Sequence, residues 1–253
     1  MYLADISIWG AIVVLLFTAM TVAFLFLIDR RMTLTLVKAL GIMSLQMVGV
    51  GFYIRLLYKA DNWWVDLLWL VLMAALVAYV SLRRLRPSGQ QLLIPVTGAV
   101  LGGCIVAGGS LLLCFRALPP RQLLLPVMAI LLGVLLTSTI GALRTYLASL
   151  RRTHDHRIYL LANGATHLES LIPSVRRALR ASIVPLIGRL GIPVVLAMPM
   201  LFGGMLLGGI TPAAAAVSTV LVAAASVVAT VVSAILLFWL LDRYIFSKTS
   251  NRL

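Results

Sequence analysis

Thr166 and Glu169 stand three residues apart, the spacing at which a hydroxyl and a carboxylate each bind the other's free backbone N–H and start a helix. Just before them Gly164 follows Asn163, a pair suited to a left-handed stop on a preceding helix. One helix is therefore expected to end, and another to begin, within a few residues. Leu168, Leu171, Ile172 and Val175 give the new helix an apolar stripe, and Arg176, Arg177 and Arg180 follow as a basic cluster. Pro173 lacks a donor and clashes with the turn before it, which predicts an end or kink near Ile172 after roughly six residues, about 9 Å. An element that short crosses nothing. It lies along a membrane surface with its arginines on lipid phosphates, or in the groove of a partner protein.

Other residue types with chemical capacity are scattered. Met198, Met200 and Met205 flank Pro199 and could offer thioethers to a soft metal, although apolar filling of a kinked helix is the commoner use of Met. His154, Asp155 and His156 are adjacent, and neighbours in a helix point in different directions, so a solvated surface explains them better than a metal site. Cys104 and Cys114 are too few and too deep in apolar sequence for a disulfide framework or zinc. No metal ligand set is assigned. Lys38, Arg55, Asp66, Arg144 and Arg189 lie within or near the ends of apolar runs, where snorkelling to the headgroups is the default. Among them Arg189, followed by Gly191 and Pro193, is the best candidate for facing a water-filled path. Gln46 is a second, because it donates and accepts inside a largely apolar run, with helix packing as the competing explanation.

The elements that must position these groups follow from composition. The 253 residues are 62% hydrophobic and 11% charged, with a mean hydropathy of +1.09, whereas about a quarter of a soluble domain is charged. The chain reads as all-α, a polytopic membrane helix bundle forming one transmembrane domain over residues 1–253. About seven runs approach the roughly 20 residues that cross a bilayer: 6–28, 36–58, 63–82, 92–115, 123–148, 183–207 and 213–241. The first is too long for a cleaved signal peptide and has no basic residues before it.

The net charge is +14, from 21 basic and 7 acidic side chains. Its placement argues against nucleic-acid binding. Arg30 and Arg31, then Arg83, Arg84 and Arg86, then the arginines of 151–182, then Arg243, Lys248 and Arg252 occupy alternate loops, while the intervening loops carry few basic residues. That bias puts the N-terminus outside and the C-terminus in the cytoplasm, with anionic lipid as a secondary contact. The longest polar stretch runs from Ser149 to Ala181, with a cytoplasmic coupling segment expected at 151–182. No G-x-x-x-x-G-K-[ST] loop occurs, so any ATP is expected to be bound by a separate chain. Gly98 with Gly102, and Gly204 with Gly208, have small-xxx-small spacing, a weak packing signal.

The run Leu161-Ala162-Asn163-Gly164-Ala165-Thr166, followed by Arg176, Arg180, Ala181 and Pro185, resembles the cytoplasmic segment of the FetB-type permeases, membrane subunits of ABC transporters implicated in iron export, with relatives in plant aluminium tolerance. The likeness continues through Pro199, Gly204, Gly209 and Pro212, and includes Gln46, Gly51 and Gly133; its specific part covers about 50 residues. It implies a permease dimer in the plasma membrane, the bacterial inner membrane, working with two copies of a cytoplasmic ATPase that holds ATP and Mg. It implies no catalysis in this chain. By the same likeness Gly164, Ala165, Thr166, His167, Leu168, Glu169, Leu171, Arg176 and Arg180 would couple to the ATPase. Gln46, Arg189, Met198, Pro199, Met200 and Gly204 would line the substrate pathway.

The sequence departs from the family pattern where transport chemistry is expected. The family's Leu-Pro-Gly is Met198-Pro199-Met200, its Met-Met pair is Leu201-Phe202, an Arg before the Gln of the second span is Ile42, and an Asn after the Gly of the fifth is Val134. Polar groups inside a membrane are usually functional, so these changes point to altered cargo. A permease for a non-metal small molecule and a non-transporting scaffold subunit are the alternatives. A lipid-acting enzyme lacks the convergent nucleophile, base or metal ligands it needs, and a secondary transporter would show intramembrane carboxylates or two repeated halves.

Overall fold

Runs of Leu, Val, Ala and Ile without interior charge satisfy every backbone group within the segment when they coil, and in a bilayer nothing else open-ended does. The computed structural model describes residues 8–60, 62–85, 92–115, 120–153, 158–160, 162–164, 166–192 and 198–250. Its helices are α1 (Ile8–Ile28), α2 (Arg30–Ala60), α3 (Trp63–Arg83), α4 (Leu93–Cys114), α5 (Pro120–Arg152), α6 (His167–Leu190), α7 (Pro199–Leu207) and α8 (Pro212–Ser250). The starts are chemically marked. Asp29 accepts the N–H of Arg31 at 2.8 Å ahead of α2, and Asn62 accepts that of Trp64 at 3.1 Å ahead of α3. Pro120, Pro199 and Pro212 occupy first helical positions, where a missing N–H costs nothing.

Among the described residues five helices are long and apolar enough to cross a membrane, within Arg30–Leu57, Trp63–Arg83, Leu93–Cys114, Leu124–Arg152 and Pro212–Tyr244. The other two expected spans differ. The first contributes the shorter apolar stretch Ile12–Ile28. The run 183–207 is not one helix: α6 ends at Leu190, and α7 starts afresh at Pro199 and has nine residues.

The chain divides into two compact units. In the first, Met1–Val65 with Leu207–Gly209, α1 packs on α2 and nearly every described side chain is exposed. A groove of about 1000 Å³ runs between them, walled by Leu15, Ala19 and Phe26 on one side and Val37, Leu40 and Gly41 on the other. The second unit, Asp66–Leu206 with Ile210–Leu253, holds the core. There α4 lies along α8 and α5 along α6, with α5 also touching α4 and α8. Gly103 makes the α4–α8 approach possible, since a Cβ there would stand 2.7 Å from the Ala229 carbonyl oxygen.

The largest buried cluster joins Ala78 and Leu82 of α3, Val96 and Ala99 of α4, Leu143 and Tyr146 of α5, Ala178 of α6, and Leu237 and Leu241 of α8. Tyr146 and Phe238 meet there with ring centres 5.1 Å apart. This packing brings the C-terminal parts of α3, α5 and α8 to one end of the unit. Arg83, Arg84, Arg151, Arg152 and Arg243 are therefore gathered at that end, with Arg243 stacked 5.4 Å from the Trp239 ring centre.

Candidate functional site

The helix start expected at Thr166 is present in full. Thr166 is extended, at φ −66° and ψ 156°; its N–H donates to Glu169 Oε2 at 2.7 Å, and the Glu169 N–H donates to Thr166 Oγ1 at 3.4 Å. Those bonds, the Thr166 backbone one first and its side chain second, hold the Glu169 carboxyl below the usual carboxylate range. Gly164 sits at φ +85°, a conformation only glycine adopts cheaply. The Asn163 side chain donates to the Tyr159 carbonyl at 2.8 Å, closing the turn before it.

The expected stop at Pro173 is absent. α6 is a single helix of 24 residues that contains Pro173 and Pro185. Local chemistry lost to packing: Leu171, Ser174, Ala178, Ser182 and Leu186 are buried and recur every three or four residues, so one continuous face lies against the bundle. Unbonded carbonyls opposite the prolines are tolerated when neighbouring helices cover them. Pro185 frees the Ala181 carbonyl, and that oxygen lies 3.1 Å from where a Cβ on Gly141 of α5 would be. Gly141 is thus the residue that lets the two helices close on the freed group.

The same face is clasped by hydroxyls. Ser149 Oγ donates to Ser174 Oγ at 3.0 Å, Ser174 and Thr153 hydroxyls are 3.3 Å apart, Thr153 Oγ1 donates to the Ser149 carbonyl at 2.8 Å, and Arg177 donates to Ser149 Oγ at 3.3 Å. Ser149 and Ser174 are buried, so each donor and acceptor is matched where water is scarce.

The coupling residues expected from the sequence separate into two sets. Glu169, Ile172, Arg176 and Arg180 are exposed and fall on one face of α6. Leu171 corrects the expectation of an outward apolar stripe: it is 6% exposed, against 58% for Ile172, because the buried face turns it inward. With Val175, Leu179, Phe238 and Trp239 it lines a cavity of about 460 Å³ whose walls include Arg176 and Asp242. His167 and Leu168 are in the first helical turn, but their side chains, like Ala165 and the His154, Asp155 and His156 run expected to be a solvated surface, lie outside the described residues.

Past Arg180 the exposed face of α6 turns apolar, with Val184 and Ile187 more than half exposed. Arg189 is nine residues, about 14 Å, beyond Arg180. It lines a cavity of about 70 Å³ with Val134, Thr137 and Ser138 of α5, Ser182, Pro185 and Leu186 of its own helix, and Thr230 of α8. The hydroxyls of Thr137, Ser138, Ser182 and Thr230 donate to carbonyls of their own helices, at 2.9, 3.2, 2.8 and 2.8 Å, which leaves oxygen lone pairs as their remaining capacity. These four were not singled out in the sequence, because only the packing of α5, α6 and α8 brings them to Arg189.

Other expected pathway residues are not part of this cavity. Gln46 is exposed on α2, and no atom lies within 4 Å of a Cβ built on Gly204. Met198 accepts the Phe202 N–H and so begins α7, Pro199 is its first residue, and Met200 is 92% exposed. Among the described residues no three His, Cys, Asp or Glu side chains converge as a metal site.

Long apolar helices with a packed helical core define a multi-pass membrane protein. Residues 8–246 match the family model described as Uncharacterised protein family (UPF0014), and the chain belongs to that family. It is 25% identical over 189 residues to a UPF0014 membrane protein of Synechocystis, a match covering 73% of each chain. It is 27% identical over 180 residues to the Protein ALUMINUM SENSITIVE 3 of Arabidopsis thaliana, covering 68% of this chain and 62% of the plant protein, less than two thirds of that relative's length. No solved structure matches.

Proposed function

We propose that this chain is the membrane-spanning permease subunit of an ABC transporter, coupling ATP hydrolysis in a separate cytoplasmic ATPase to solute export. The observation that carries this reading is the continuity of α6: the capped, exposed turn at Thr166 and the polar cavity at Arg189 are two ends of one rod, about 35 Å apart at helical rise. A push on the first end moves the second without a joint between them. The basic end of the bundle is cytoplasmic by the positive-inside bias, in a bacterial inner membrane, and the subunit works as a dimer with two ATPases that hold ATP and Mg. Resemblance to the FetB-type permeases supports iron or another metal as cargo. The cavity favours a second reading of the cargo, a non-metal solute, because it contains a guanidinium and hydroxyls rather than metal ligands.

Gly164→Pro cannot adopt the positive φ, and Glu169→Lys removes the carboxylate from the capping box. Both variants are expected to keep the bundle folded and to retain at least tenfold less of the co-expressed ATPase on purification. Undiminished ATPase in both would overturn the proposal.

A further inference from the structure

We propose that the cavity at the inner end of α6 binds a small oxyanion group, a phosphate or carboxylate, through Arg189, so that cargo passes this chain as an anion or an anionic complex and not as a bare metal cation. The inference rests on the permease reading and narrows its cargo.

Depth is the first argument. The cavity contacts Thr137 and Ser138, about 20 Å along α5 from either end of the span Leu124–Arg152, and Thr230, more than about 20 Å along α8 from either end of Pro212–Tyr244. Arg189 is also about 14 Å past Arg180 along its own helix, close to half the roughly 30 Å hydrocarbon thickness. A charge at that depth is costly unless water or a polar group faces it.

Direction is the second. Arg189 follows Ser182 and Leu186 by seven and three residues, so it reaches the cavity they line while its side chain stays exposed.

Charge balance is the third. Among the described residues the Arg189 side chain makes no hydrogen bond or ion pair, its carbonyl alone accepting from the helix end. Two of the carboxylates described in this unit are remote: Glu169 begins the same helix about 30 Å away, and Asp242 is about 18 Å along α8 from Thr230. Neither of these two is near enough to neutralise the guanidinium.

The hydroxyls complete the assignment. Their protons are committed to helix carbonyls, so their lone pairs can receive some of the five guanidinium N–H groups and aim the rest into the cavity. A volume of about 70 Å³ equals about two waters, enough for one oxyanion head group and too little for a whole large solute. A fixed cation in a low-dielectric space repels a bare divalent metal and attracts an anion, with Arg the side chain best matched to a planar or tetrahedral oxyanion.

The test is equilibrium binding of radiolabelled phosphate, citrate and ferrous iron to the purified full chain in phosphatidylcholine nanodiscs, which supply no anionic lipid. Phosphate or citrate is expected to bind the native chain, Arg189→Gln to weaken that binding at least tenfold, Arg189→Lys to lie between, and Thr230→Val to weaken it several-fold; ferrous iron without citrate is expected not to bind. If Arg189→Gln does not fold, as judged by its melting transition, Arg189→Lys and Thr230→Val decide the matter. The proposal is overturned if neither anion binds the native chain, if the variants bind as well as it does, or if free ferrous iron binds instead. Loss of the dimer in Arg189→Gln without any anion binding would likewise overturn it, assigning Arg189 to a contact with a second copy. The assay contains no ATPase, so a null result leaves the co-purification test standing, and a failed co-purification leaves this binding interpretable.

Discussion

α2 and α8 are both long apolar helices, yet 6% of the apolar window of α2 is buried against 44% in α8, and the same 44% in α3, α4 and α5. α8 carries small residues, Ala225, Ala229, Ser226, Ser233, that let α4 approach, whereas Gly49 and Gly51 of α2 have open space where their side chains would be. In water so much exposed apolar surface would drive association; in a bilayer, lipid covers it. Small residues with a partner specify the bundle, and small residues without one leave a helix exposed along most of its length.

The largest effect follows directly. Gly103→Leu drives a side chain into the Ala229 carbonyl and is expected to destabilise by on the order of 3 kcal/mol or more, while Gly51→Leu stays within about 0.5 kcal/mol. Thermal unfolding in lipid nanodiscs measures both, and equal losses would erase the contrast.

A middle-sized effect concerns the start of α6. Thr166→Ala removes an N-cap and should cost about 1 kcal/mol, read as faster amide exchange in the first turn of α6 with the α4–α8 pair unchanged. Because the Glu169 carboxyl is held below its unfolded value, its contribution is present above the ordinary carboxylate pKa and is lost as pH falls through the lowered one. Glu169→Gln keeps an acceptor and should remove that acid sensitivity. Exchange at pH 7 and below pH 4 checks the sign.

Smallest is the hydroxyl clasp. Ser149→Ala and Ser174→Ala should be non-additive, with a coupling of about 0.6 kcal/mol, typical of hydrogen bonds between membrane helices.

What the sequence disclosed is what is local. Apolar runs announced the helices because their length is matched to a bilayer, and the capping box was legible because its partners are three residues apart. The passage of α6 through Pro173 was not, since Pro173 argues for a stop and only burial of Leu171, Ser174 and Ala178 against the bundle overrules it. Gly141 under the Ala181 carbonyl, and Thr230 beside Arg189, pair residues far apart in the chain. Arg189 could be suspected from its type; its neighbours could not.

The central claim is that the exposed face at the start of α6 is gripped by an ATPase. A photo-crosslinking residue at position 172, with one at position 51 of α2 as the control, tests it in cells that co-express a candidate ABC ATPase. The account predicts a covalent product between position 172 and the ATPase, and none from position 51. Adducts from position 172 with lipid alone, or with a second copy while the ATPase stays unlinked, would contradict it.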